Sequence, residues 1–100
     1  MKEIKITVIK KVLHEDLIEK YENPISNACN MEVGQTFIVH NMECPKDFCE
    51  SAWQSLYPFV MTLANGGEKL YDGWMKNPQS AMVSCNDGFR PVSFYVEVIE

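Results

Sequence analysis

A chain of 100 residues is long enough for one domain and too short for two, and at this size folding buries roughly 60–65% of the surface of the unfolded form. Fourteen acidic against nine basic side chains leave a net charge of −5, which repels nucleic-acid phosphates and anionic lipid, and the lone adjacent basic pair, Lys10-Lys11, does not offset it. Residues 1–12 alternate charged and apolar side chains without the continuous apolar run of a signal peptide, and no stretch of about 18 apolar residues is present to span a membrane, so the expected setting is the cytoplasm.

Residues 3–9 place Ile4, Ile6 and Val8 on one face and Lys5, Thr7 and Ile9 on the other, the period of a half-buried first strand. His14-Glu15-Asp16 ahead of Leu17, Ile18 and Tyr21 predicts a short helix over about 14–22, with acidic side chains in its first turn and Asn23-Pro24 ending it. Residues 24–31 carry loop punctuation and no period. The β-branched and aromatic run 33–39, entered through Gly34, predicts a second strand, and His40–Glu43 connects it onward.

The stretch Cys44–Gly67 has the strongest apolar periodicity of the chain. Phe48, Cys49, Ala52, Trp53, Leu56, Phe59, Val60 and Leu63 recur at the spacing of one helical face, Pro45 suits a first helical turn, and Asn65-Gly66-Gly67 marks the end. Pro58 lies inside this pattern and predicts a kink or two shorter helices. Residues 68–79 predict an ordered loop tacked to the core by Trp74. Ala81–Cys85 and Pro91–Ile99 predict two further strands joined through Asn86-Asp87-Gly88, where Gly or Asn supplies the positive φ of a tight hairpin. The expected architecture is therefore α+β: a single domain over 1–100, with a small mixed or antiparallel sheet of about four strands, one long helix (about 45–65) packed on one face and one short helix (about 14–22).

Cys29-x4-Gly34-x2-Phe37, Pro45-x2-Phe48-Cys49-x2-Ala52-Trp53, Leu63-x2-Gly66-Gly67 and Cys85-x-Asp87-Gly88-x-Arg90-Pro91-Val92-x-Phe94 together resemble a family of small uncharacterised bacterial and archaeal proteins of about this length, over residues 3–99. The resemblance implies no established activity. It singles out Cys29, Cys49 and Cys85 as matching the cysteine positions of the family and leaves Cys44 outside the pattern.

Four cysteines in a reducing compartment point to free thiols or ligands rather than a disulfide framework, and their spacing is not that of a C-x-x-C motif. Thiolates from Cys29, Cys49 and Cys85 suit zinc or iron as a soft-ligand set, with His40 or Cys44 as fourth ligand; the competing structural account makes them small apolar core residues. A thiolate at Cys49 or Cys44, near the start of a helix, would be favoured by the helix dipole, which makes Cys49 the candidate reactive thiol. His14 reads as a solvent-facing residue at a helix start. Two histidines and no nucleophile-elbow sequence give no Ser-His-Asp set, and Gly66-Gly67 follows a helix, the wrong end for a phosphate. Asp87 and Gly88 read as turn residues, with Arg90 paired to Asp87 or Glu97; Trp53, Tyr57, Tyr71 and Trp74 read as core and loop packing or, alternatively, as the walls of an apolar pocket.

These residues support three readings. The first is a small binding domain carrying a metal on Cys29, Cys49 and Cys85. The second is a thiol-dependent enzyme or redox protein using Cys49 with Cys29 or Cys85 as partner. In the third, an accessory subunit with inert cysteines pairs through its sheet edge with itself, as a homo-oligomer, or with a partner protein.

Overall fold

In the computed structural model of the chain, which describes residues 1–25 and 29–99, the elements follow in the order β1 (Ile4–Lys11), α1 (Glu15–Tyr21), β2 (Thr36–Val39), α2 (Glu50–Ala64), α3 (Leu70–Gly73), β3 (Ser80–Ser84) and β4 (Val92–Val98). The four strands form one antiparallel sheet in the order β2-β1-β4-β3, so the first and last strands of the chain are its centre and the short β2 and β3 are its edges. The fold is α+β, as the alternation of strand and helix periods indicates.

Alternation places Ile4, Ile6 and Val8 of β1 and Val92, Phe94 and Val96 of β4 on the same buried face, joined by Ala81 and Val83 of β3 and Val39 of β2. The helix α2 lies across this face against β3, β4 and β1, burying Ala52, Leu56, Val60, Leu63 and Ala64. A register shift between Val8 and Lys10 adds one residue to β1, which leaves Ile9 exposed and brings Lys11 opposite Val92. Met31, in the segment 24–31 expected to be a loop, is buried in the same core; residues 26–28 of that expected loop lie outside the described residues.

The long helix begins at Glu50 rather than near residue 45. Ahead of it Phe48 is 6% exposed, with its ring 4.9 Å from Phe37 and 5.4 Å from Phe94 between centroids, and Cys49 has an extended backbone (ψ 119°). Phe48 thus enters the core from a turn rather than from the helix, and Pro45 opens that turn. At the other end the expected stop is a complete Schellman closure: the Gly67 N–H donates to the Thr62 carbonyl at 2.8 Å and the Gly66 N–H to the Leu63 carbonyl at 3.1 Å, with Gly66 at φ 91°. Pro58 does not divide the helix; it is exposed, and its own carbonyl accepts the Thr62 hydroxyl at 2.8 Å.

Two expectations for the second half are corrected. Trp74 is 79% exposed and does not tack the 68–79 segment to the core; Leu70 packs there instead, beside left-handed backbone at Lys69, Tyr71 and Asp72. The connection from β3 to β4 is a wider loop, 85–91, in which Gly88 has no positive φ. Asp87 organises it by accepting the Phe89 and Arg90 N–H groups on Oδ1 at 2.8 and 3.1 Å. Among the described residues no helix is long and apolar enough to cross a membrane.

Because an alanine at Gly66 must hold the left-handed conformation, Gly66→Ala is expected to destabilise the fold by about 1 kcal/mol, while Gly88→Ala, with open space around its Cβ and ordinary φ, stays within about 0.5 kcal/mol of the parent. Urea denaturation of the two variants checks the difference.

Candidate functional site

The end of the sheet at which β1 and β3 finish and β4 starts is also the end toward which the first turn of α2 points. A cleft of about 640 Å³ opens there, and Cys29, Cys49 and Cys85 all line it, with Asp47, Asn86, Asp87 and Arg90 as polar neighbours. Three thiols from distant parts of the chain therefore share one cleft, each set in place by a different local device.

Cys29 is held through Met31. The Met31 side chain is buried, its carbonyl accepts the Lys11 ammonium at 2.7 Å, and its N–H donates to the Cys29 Sγ at 3.4 Å. The extra residue in β1 is what turns Lys11 toward this segment. Cys85 extends the β3–β4 ladder by one step: its N–H donates to the Val92 carbonyl at 3.0 Å, and the Val92 N–H donates to its Sγ at 3.3 Å, sulfur standing where a carbonyl oxygen would be. Cys49 is the residue that caps the start of α2, makes no side-chain cap bond and is exposed, whereas Cys29 and Cys85 are half-buried.

Two polar fasteners hold the walls. The Ser51 hydroxyl donates to Asn86 Oδ1 at 2.7 Å, and Asn86 Nδ2 donates back to the Ser51 carbonyl at 3.1 Å, tying the first turn of α2 to the 85–91 loop. The Arg90 guanidinium meets the Glu22 carboxylate through two bonds, at 2.8 and 2.9 Å, and this fork ties the same loop to the end of α1. The partner expected for Arg90 was Asp87 or Glu97; the side chain reaches Glu22 instead, because Asp87 is engaged with the loop backbone and Glu97 stands across from Lys5 within the sheet. Hydrogen bonding to Glu22 raises the Arg90 basicity above its ordinary value, partly opposed by burial. The guanidinium contribution is therefore fully present below the ordinary arginine range and is lost as the pH rises through the raised value.

Neither of the proposed fourth ligands reaches the cleft. His40 pairs with Glu3, and both His40 and Cys44 line a separate hollow of about 400 Å³ beside Glu43 and Lys46. Desolvation of its sulfur, then Glu50, then Cys49 push the Cys44 thiol above the ordinary range, although the residue as a whole is exposed. Among the described residues no three His, Cys, Asp or Glu side chains are grouped closely enough to hold a metal ion as they stand. His14 caps the start of α1 and donates its N–H to the Phe89 carbonyl at 2.9 Å. Trp53, Tyr57, Tyr71 and Trp74 wall no part of the cleft: Trp53 stands edge-on to Tyr57, and Tyr71 stacks on Trp74, with centroids 5.6 and 5.3 Å apart.

Ser51, Asn86 and Glu22 are site residues that the sequence does not flag. Their partners lie 35 and 68 positions away, beyond any helical or strand period, and only the strand order brings them together. Comparison with protein-family models, with curated proteins and with solved structures returned no match for this chain.

If the Arg90–Glu22 fork fixes the 85–91 loop against α1, Arg90→Gln and Glu22→Gln each speed amide exchange at His14, whose N–H bonds to Phe89, and the double variant is no more labile than the worse single one. Hydrogen exchange on the three variants reads this coupling.

Proposed function

We propose that this chain is a small binding domain whose ligand is a soft metal ion, zinc or iron, taken up in the cleft by the thiolates of Cys29, Cys49 and Cys85. The observation that carries the reading is the arrival of these three side chains on one cleft. Thiolate sulfur is a preferred donor for both metals. The N–H groups of Met31 and Val92 supply the kind of backbone hydrogen bond that steadies a metal-bound thiolate. Cys49, exposed and without a side-chain cap bond, is the sulfur that would swing toward the other two.

Since among the described residues no three donors are close enough to share an ion at rest, uptake requires the three sulfurs to draw together, and part of the binding free energy is then spent on that movement. The expected signature is a metal-dependent rise in thermal stability. A cytoplasmic setting, where thiols stay reduced, suits four free cysteines.

The reading predicts about one equivalent of zinc or iron in protein purified without chelator or oxygen, lost in Cys49→Ser and in Cys85→Ser and kept in Cys44→Ser. Elemental mass spectrometry beside a thermal melt with and without added zinc decides it. A metal-free protein whose melting temperature zinc does not move would make the cysteines packing residues and remove the proposal.

A further inference from the structure

Cys44 and Cys49 flank a four-residue turn. The Phe48 N–H donates to the Pro45 carbonyl at 3.1 Å, and Asp47, third in the turn, has φ 65°, the mark of a type II turn. A turn closed in this way returns the chain alongside itself, so residues 44 and 49 sit at its two open ends. The end residues of such a turn, here Pro45 and Phe48, have Cα atoms less than about 7 Å apart, and a disulfide between the residues next outside them needs Cα atoms about 4.4–6.8 Å apart. Phe48 pins the turn by burying its ring, which leaves the flanking thiols outside: both are exposed. Among the described residues neither is committed elsewhere, for Cys49 makes no cap bond and Cys44 has only a long 3.7 Å contact to the Pro45 carbonyl. Cys29 and Cys85, by contrast, are half-buried and accept backbone N–H groups on sulfur.

We propose that Cys44 and Cys49 form a reversible disulfide that withdraws Cys49 from the cleft and so gates the cleft by redox state. The gating half rests on the reading of Cys49 as a ligand-binding thiol; the disulfide itself does not. The oxidant is a low-molecular-weight disulfide of the glutathione class. Cys49, its proton given to solvent, attacks one sulfur of the oxidant, breaking its S–S bond and releasing one thiolate. Cys44, likewise deprotonated, then attacks the Cys49 sulfur of the mixed disulfide and expels the second thiolate. The two released thiolates take up the two protons, so the protein pair is oxidised by two electrons and the small disulfide is reduced to two thiols. Oxidation leaves Cys29 and Cys85 in the cleft without their third donor.

The test incubates the reduced full chain with glutathione disulfide, quenches in acid, alkylates and cleaves after glutamate, which releases Cys44–Glu50 with both cysteines in one peptide. The expected peptide is unalkylated and lighter by two hydrogens, and after trypsin cuts at Lys46 its halves separate only on reduction. A doubly alkylated peptide, a stable glutathione adduct on Cys49, or Cys49 joined to Cys29 or Cys85 would overturn the disulfide. Zinc uptake reads the gate separately. Uptake should fall at least about tenfold on oxidation of the parent, in step with the disulfide-linked peptide, and return with reductant, whereas Cys44→Ser, which keeps the uptake of the reduced parent, should lose uptake only as far as Cys49 carries a glutathione adduct. Undiminished uptake by the oxidised parent would overturn the gate alone. No uptake by the reduced parent would overturn the metal reading, and the gate with it, while the disulfide stands on its peptide.

Discussion

Burial of one stripe of α2 on one face of the sheet is the constraint from which the remaining geometry follows. Leu56, Val60 and Leu63 are fully buried against Ile4, Ile6, Phe94 and Val96, and each such side chain is worth about 1.5–3 kcal/mol against exposure. A helix held along one stripe has little freedom to rotate or slide, and the Schellman closure at Gly66 sets where it ends. Its first turn is thereby aimed at the end of the sheet where β3 stops and β4 starts. Phe48, packed on Phe37 and Phe94, closes the core at that end and holds Cys49 just outside it.

Polar contacts convert this end of the core into the candidate site. The Ser51–Asn86 pair joins helix to loop, the Arg90–Glu22 fork joins loop to α1, and the Lys11 contact to the Met31 carbonyl joins the segment bearing Cys29 to β1. Each fastener meets the same rim, and the three cysteines are held there in different ways: Cys29 and Cys85 accept backbone N–H groups on sulfur, whereas Cys49 sits where the turn gives way to the helix. Cys44, on the far side of the same turn, lines the separate hollow beside Glu43 and Lys46.

The periods of the strands and of the long helix are legible in the sequence because burial on one face imposes them. Ile4, Ile6 and Val8 repeat every second residue, and Ala52, Leu56, Val60 and Leu63 repeat at helical spacing, so the α+β class, the core face and the Asn65-Gly66-Gly67 stop follow from pattern alone. The start of α2 does not, since Phe48 and Cys49 continue the apolar pattern while their backbone belongs to the turn; periodicity registers burial and not dihedral angles. Trp74 shows the opposite failure, a large apolar residue that the left-handed turn at Tyr71 and Asp72 leaves in solvent. For the site, cysteine positions were visible, but their convergence depends on strand order and on the extra residue in β1. Pairings such as Glu22 with Arg90 leave no local trace at a separation of 68 residues.

The central claim is that Cys29, Cys49 and Cys85 act on one ligand while Cys44 stands apart. Cysteine-resolved alkylation of the reduced protein, followed by mass spectrometry with and without stoichiometric zinc, tests it most directly. The account predicts that zinc slows modification of Cys29, Cys49 and Cys85 together and leaves Cys44 as reactive as before. Protection of a single cysteine, or of Cys44 in place of one of the three, would contradict it.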